Sequence, residues 1–309
     1  MRRVYLDHSA TTPLDERVLS VMQQAFAECF GNASSIHWFG REAKVMLEES
    51  REQIANLVGA RYDEIYFTSG GTEADNHALK GVAFASQKKG KNHIIISAVE
   101  HHAVLHAADW LREHGFAVDV VPVDIDALVD PFSIQKTIKP TTCLISIMHA
   151  NNEVGTIEPV KDIGRIAKSY EVTFHSDTVQ TVGKLPLNVN ELGVDLLAIS
   201  AHKMYGPKGI GAIYIRRGTR IDSFIQGGSQ ESNRRAGTEN VPLAVGFAKA
   251  MQVGNEERDE LTKKYQQLRD AMKTRLSSEF ENVLYNGHPQ YSLPQIVNVS
   301  FDSKKGRID

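Results

Sequence analysis

The sequence predicts an α/β protein, with a mainly parallel central sheet covered by helices and a smaller α+β unit after it. Three observations carry this. Seven short runs are apolar on both faces, as strands buried beneath helices on both sides are. Amphipathic stretches of helical spacing separate most of these runs. From about residue 240 the rhythm stops, and a long charged helical tract (about 242–280) precedes one last apolar run.

In chain order the strands are EIYFTS (64–69), HIIIS (93–97), AVDVVPV (117–123), CLISIMHA (143–150), VTFHSD (172–177), DLLAIS (195–200) and AIYIR (212–216). Helical patterns fill 73–88, 103–115 and 160–171. The last opens after Pro159 and sets Ile163, Ile166 and Ala167 at helical spacing. The expected division is a large unit over 13–255 and a partial small unit formed by 1–12 plus 256–309. Within the latter, QIVNVSF (295–301) reads as one strand. A lone strand cannot satisfy its edges, so it pairs with another unit or the small domain is incomplete, and incompleteness is the favoured expectation.

Composition narrows the function class. With 35 Lys+Arg against 38 Asp+Glu the net charge is −3, which argues against a dedicated nucleic-acid or membrane-surface binder. No apolar run approaches the roughly 18 residues of a membrane span. The amino terminus, MRRVYLDHSATTP, has no signal-like apolar region. Two cysteines, Cys29 and Cys143, exclude a disulfide scaffold and suggest a reducing, cytoplasmic setting.

Ligand sites in open α/β sheets lie beyond the carboxyl ends of the strands, and the polar residues gather there. Gly70-Gly71-Thr72-Glu73 follows EIYFTS and opens a helix, offering free N–H groups and a hydroxyl to an anion. Taken alone, an ordinary Ser/Thr-capped helix after a tight turn is the favoured reading of this motif. Asp177 ends VTFHSD, with Gln180 three residues on. Lys203 follows DLLAIS in Ala201-His202-Lys203, ahead of the glycine-rich MYGPKGIG. A half-buried lysine has a lowered pKa and forms Schiff bases, and an aspartate nearby can keep a pyridinium nitrogen protonated. Solvated loop and helix-cap roles compete with both readings. His102 and His106 have metal-ligand spacing but no evident third ligand, so no metal is expected, while His101 can stack on an aromatic ligand. Asn151-Asn152 could bind a phenolate or carboxylate, or could simply form a turn. Arg234-Arg235-Ala236-Gly237-Thr238 reads as a compact anion-reader or a solvated basic turn.

Taken together, YLDHSATTP, FGNASSIHWFG, FTSGGTEADNHAL, EHHAVL, MHANNEVGT, HSDTVQTVGKLP, SAHKMYGPKGIGA and RRAGTEN resemble the cysteine desulfurases, pyridoxal-phosphate enzymes of the class V aminotransferase group. The similarity runs in order from the amino terminus to about Phe301. It implies the type I fold of pyridoxal 5'-phosphate enzymes and a reaction that removes sulfur from L-cysteine, leaving alanine and an enzyme persulfide. It also implies a homodimer that passes sulfur to an acceptor protein, either a tRNA thiolase or an iron–sulfur scaffold. By resemblance, Lys203 would hold the cofactor covalently and shuttle the Cα proton. Ser200, His202, Thr72 and the Gly71 amide would bind its phosphate, with Thr238 reaching over from the other subunit. Asp177 would pair with the ring nitrogen, Gln180 and Asn152 would lie at the phenolic oxygen, and His101 would stack on the ring. In this family the nucleophilic cysteine follows the strand resembling QIVNVSF, and a carboxylate-binding arginine comes after it. Neither Cys29 nor Cys143 matches that position, so impaired sulfur transfer is expected of this chain. A catalytically inactive cofactor-binding scaffold and another class V lyase or transaminase remain as alternatives.

Overall fold

The computed structural model describes residues 3–301. The carboxy-terminal DSKKGRID lies outside them. Two helices that the strand–helix rhythm does not reveal come first, α1 (Glu16–Glu28) and α2 (Trp38–Val58). There follow β1 (Ile65–Thr68), α3 (Gly71–Gln87), β2 (His93–Ser97), α4 (His102–Glu113), β3 (Ala117–Val121), α5 (Pro131–Thr137), β4 (Thr142–Ser146), α6 (Val160–Ser169), β5 (Thr173–Asp177), the single turn α7 (Val189–Leu192), β6 (Leu196–Ser200) and β7 (Gly211–Ile215).

These seven strands form one sheet in the order β1-β7-β6-β5-β4-β2-β3. The four neighbour pairs from β6 across to β3 are parallel, whereas β7 runs antiparallel to both β6 and β1. The carboxyl ends of β1, β2, β4, β5 and β6 therefore share one edge. Period-two alternation sorts the side chains. Ile94, Ile96, Leu144, Leu196 and Ala198 pack under Leu79, Val82, Val104 and Leu111 of α3 and α4. Ile95, Ile145, Phe174, Leu197 and Ile199 turn to the other face, with Leu47 and Ile54 of α2. One expectation needs correction. AVDVVPV is not apolar-buried on both sides: β3 is the sheet's edge, and Ala117 and Val120 are exposed, because only one neighbour covers it.

Beyond the sheet, α8 (Val241–Glu279) runs unbroken for 39 residues, through position 255. Its first half is buried against α1 and α2 (Ala244, Phe247, Met251), and its second half is largely exposed. The strand expected at 295–301 is shorter, β9 (Asn298–Phe301), and is not alone. It pairs antiparallel with β8 (Val283–Asn286) in the register Val283↔Phe301 to Asn286↔Asn298. The four residues VLYN are too short to register as a strand by periodicity alone. This hairpin is tied back to the main body: His288 N–H donates to Thr156 Oγ1 (3.0 Å) and Asn298 Nδ2 to the Glu153 carbonyl (3.2 Å).

Candidate functional site

A cleft of about 760 Å³ opens at the shared carboxyl edge. It is lined by Gly71, Thr72, His101, Asn152, Asp177, Gln180, Ser200, His202 and Lys203, so nine of the ten expected site residues converge. Thr238 is not among its lining residues. A second cleft, about 840 Å³, lies at the opposite ends of the strands and carries Lys89, Lys91, Arg216 and Arg217. We centre the chemistry on the first, where a lysine, an imidazole and carboxyls converge on one wall.

The cradle at α3 is formed from the backbone. Its N-cap is Gly70, with no capping side chain, so the ordinary Ser/Thr cap considered from sequence is not what forms here. The first-turn amides stay available to an anion. A Cβ on Gly71, which lines the cleft, would fall 2.7 Å from Val179 Cγ2, so any larger residue here would force the loop or Val179 to shift.

Asp177 ends β5 and is buried. Its Oδ1 accepts the Val179 N–H at 2.8 Å. Burial raises its carboxyl pKa, opposed by that N–H and by His101 and Lys203. His101 caps α4: its Nδ1 accepts the Ala103 N–H at 3.1 Å, so that nitrogen carries no proton, and burial lowers the ring's pKa, in keeping with a neutral imidazole. Lys203 follows β6. Its Nζ donates to the carbonyls of Ser9 and Ala10, the latter at 2.7 Å, and burial lowers its pKa against the pull of Asp177 and Asp7. His202, brought down to about 4 by burial and by the cations around it, sets Nδ1 3.1 Å from Thr11 Oγ1. Gln180 donates Nε2 to the Ser9 carbonyl (3.0 Å), and its buried Oε1 has no partner among the described residues.

Several assignments separate here. Asn151 is the turn former: Oδ1 accepts the Glu153 and Val154 N–H groups, while Asn152 faces the cleft. Arg234 and Arg235 do not read a free anion within this chain. Arg234 donates to the Ile221 carbonyl, and Arg235 pairs with Glu73, because buried protein acceptors lie within their reach. His102 and His106 stack, with ring centroids 5.1 Å apart, and among the described residues they belong to no ligand cluster.

Sequence reasoning missed Asp75, one turn into α3. Its carboxyl is fully buried, and ligand atoms of Asp75, His101 and Asp177 lie within 4.8 Å of one another. Burial, then Asp177 and Glu100, push Asp75 well above the carboxylate range, and burial lifts Glu100 to about 8. Three carboxyls so close cannot all ionise. A metal ion could accept such spacing, yet an anion cradle and a half-buried lysine in the same cleft suit an organic phosphate ligand. The helical period offered a signal, since Asp75 lies four residues after Gly71 and so on the same face.

Neither cysteine lines the cleft. Both are buried, and burial pushes the Cys143 thiol up to about 11. At pH 8 about one part in a thousand of Cys143 is thiolate. In the native protein Cys143 is expected to resist Ellman's reagent and to react on unfolding. Rapid modification of the folded protein at Cys143, mapped by mass spectrometry, would contradict this burial.

The Aminotransferase class-V pattern matches residues 4–307. The cysteine desulfurase IscS of Dictyoglomus turgidum is 53% identical over 305 residues, covering 99% of this chain and 77% of that protein. The IscS of Methanosarcina thermophila is 48% identical, covering 99% and 75%. Among solved structures, a NifS-like protein superposes with a TM-score of 0.94 at 43% identity, over 97% of this chain and 82% of that one. SspA in complex with cysteine superposes with a TM-score of 0.90 at 34% identity, over 98% and 85%. The chain belongs to the class V aminotransferase family and, within it, to the cysteine desulfurases, which depend on pyridoxal phosphate.

Proposed function

We propose that the cleft binds pyridoxal 5'-phosphate and L-cysteine, and that its residues carry the Cα-proton chemistry of desulfuration. The single observation behind this is the convergence of an uncapped glycine cradle, a half-buried lysine and a buried aspartate in one cleft. The residues fit the cofactor. The Gly71 and Thr72 amides and hydroxyl, Ser200 and His202 suit its phosphate, and the unpartnered Gln180 Oε1 and Asn152 suit its ring substituents. When bound, the cofactor supplies an aldehyde that condenses with amines and a ring that draws electrons from Cα.

In this reading, Lys203 holds and then returns the Cα proton through Nζ, and burial keeps its amine within reach of the neutral form. Asp177 holds a proton on the ring nitrogen. His101, neutral and with Nδ1 engaged by Ala103, offers its ring face for stacking and Nε2–H for orienting substrate. The acceptor thiol comes from outside residues 3–301, since Cys29 and Cys143 are both buried away from the cleft.

The working form is a homodimer. Phe30, Ile36, Trp38 and Phe39 are exposed and partly stacked on one another (Phe30–Phe39 centroids 4.9 Å apart), which suits a second copy, and Thr238 then serves the neighbouring cleft. Residues 13–255 carry the cofactor in this proposal, and 1–12 with 256–309 form the smaller unit. No helix among the described residues is long and apolar enough to cross a membrane. Delivery of sulfur to a tRNA thiolase or an iron–sulfur scaffold in the cytoplasm is the role that the family resemblance favours.

The test is an absorbance spectrum of purified protein with and without L-cysteine. A visible band that changes on adding cysteine is expected. A band indifferent to cysteine favours the inactive scaffold, and no band after loading with cofactor ends the reading.

A further inference from the structure

The cradle that suits a phosphate has a carboxylate built into it. Glu73 is the third residue of α3, and its side chain folds back so that Oε2 accepts the Ser69 N–H at 2.8 Å, closing the loop that carries Gly70 and Gly71. That carboxylate is buried, and its pKa lies below the usual value because Arg235 and the Ser69 N–H outweigh its desolvation. A fixed negative charge one residue beyond Thr72 opposes an incoming dianion. Two contacts from Arg235 cover it, Nε to Oε1 at 2.8 Å and a terminal nitrogen to Oε2 at 3.2 Å. The other charges facing Arg235 are Glu231, itself paired with Arg51 at 2.6 Å, and Glu239.

We propose that Arg235 is a positioning residue that masks the Glu73 charge, allowing a carboxylate to shape the anion cradle without repelling the phosphate it receives. This rests on the reading of the cleft as a cofactor-phosphate site. The structural alternative is that the pair only braces the 231–238 segment against α3. The two differ in sign at Glu73. If the pair is a brace, losing either partner weakens the cradle. If Arg235 is a mask, losing Arg235 weakens phosphate binding, while neutralising Glu73 leaves it intact or strengthens it.

The readout is the ratio of affinities for pyridoxal 5'-phosphate and pyridoxal, measured by fluorescence quenching on the full chain freed of cofactor. This ratio isolates the phosphate. Arg235→Leu is expected to lower the ratio about tenfold at low salt, a deficit that shrinks as salt is raised. Glu73→Gln should keep the parent ratio or exceed it. The double variant Arg235→Leu/Glu73→Gln should return to within about threefold of the parent. Thermal melts and Arg235→Lys, which keeps the charge, separate loss of fold from loss of masking. A double variant at or below Arg235→Leu, or Glu73→Gln falling with it, overturns the proposal. A parent protein that binds both ligands equally overturns instead the phosphate-site reading beneath it.

Discussion

Replacing Lys203 with alanine is expected to abolish covalent capture of the cofactor and to cut exchange of the L-cysteine Cα proton by about 10²–10⁴-fold. The amine lies half-buried at the end of β6, with its pKa lowered by desolvation and its hydrogens directed to the Ser9 and Ala10 carbonyls. Those carbonyls orient Nζ in the cleft. Alanine removes the nucleophile and the base together, so both measurements should fall in the same variant. Borohydride reduction followed by peptide mapping reads the first. Exchange in deuterated buffer, followed by proton NMR, reads the second without needing a sulfur acceptor. A reduced adduct mapped to Lys184 or Lys208 in the parent protein would remove Lys203 from this role.

Asp177→Asn should act differently, leaving the cofactor bound but slowing the same exchange by about 10²–10³-fold. Asparagine keeps the shape of the side chain and can still accept the Val179 N–H. It cannot hold a proton on a ring nitrogen through a full negative charge. Burial pushes all three neighbouring carboxyls up, Asp75, Glu100 and Asp177, but Asp177 alone has the Val179 N–H, His101 and Lys203 opposing that shift. The loss should appear in rate rather than affinity. Exchange at the parental rate in Asp177→Asn would assign the electronic role elsewhere.

The residues differ in how openly the sequence announced them. The parallel strands were legible because burial on both faces leaves continuous apolar runs, and the site followed from where those runs end. Edge and pairing effects were not, since a run such as AVDVVPV looks the same at the rim as in the middle, and VLYN gains strand character only from its partner. The Asn151-Asn152 pair could not be split from sequence, because one amide had to form the turn that aims the other. Arg234 and Arg235 read as anion binders because their acceptors, the Ile221 carbonyl across a loop and Glu73 far away along the chain, are brought to them only by the fold. Asp75 went unread because a carboxyl on a helix is ordinarily solvated, and its burial comes from the sheet beneath.

The unbroken course of α8 has a mechanical consequence. At 1.5 Å per residue it is a strut of about 58 Å, anchored at one end in the core and carrying the β8–β9 hairpin near the other, where the Tyr285 hydroxyl donates to the Lys273 carbonyl (2.7 Å). The connection between its strands returns to the turn around Glu153–Thr156, so the hairpin is tied to the strut on one side and to the turn on the other. The segment 295–298, which lines the cleft, belongs to this connection and the start of β9. Such a frame has no pivot at residue 255. A continuous helix offers no loop residues there to absorb a hinge rotation, so the wall formed by 295–298 is held through the hydrogen bonds of the β8–β9 connection to the 153–156 turn.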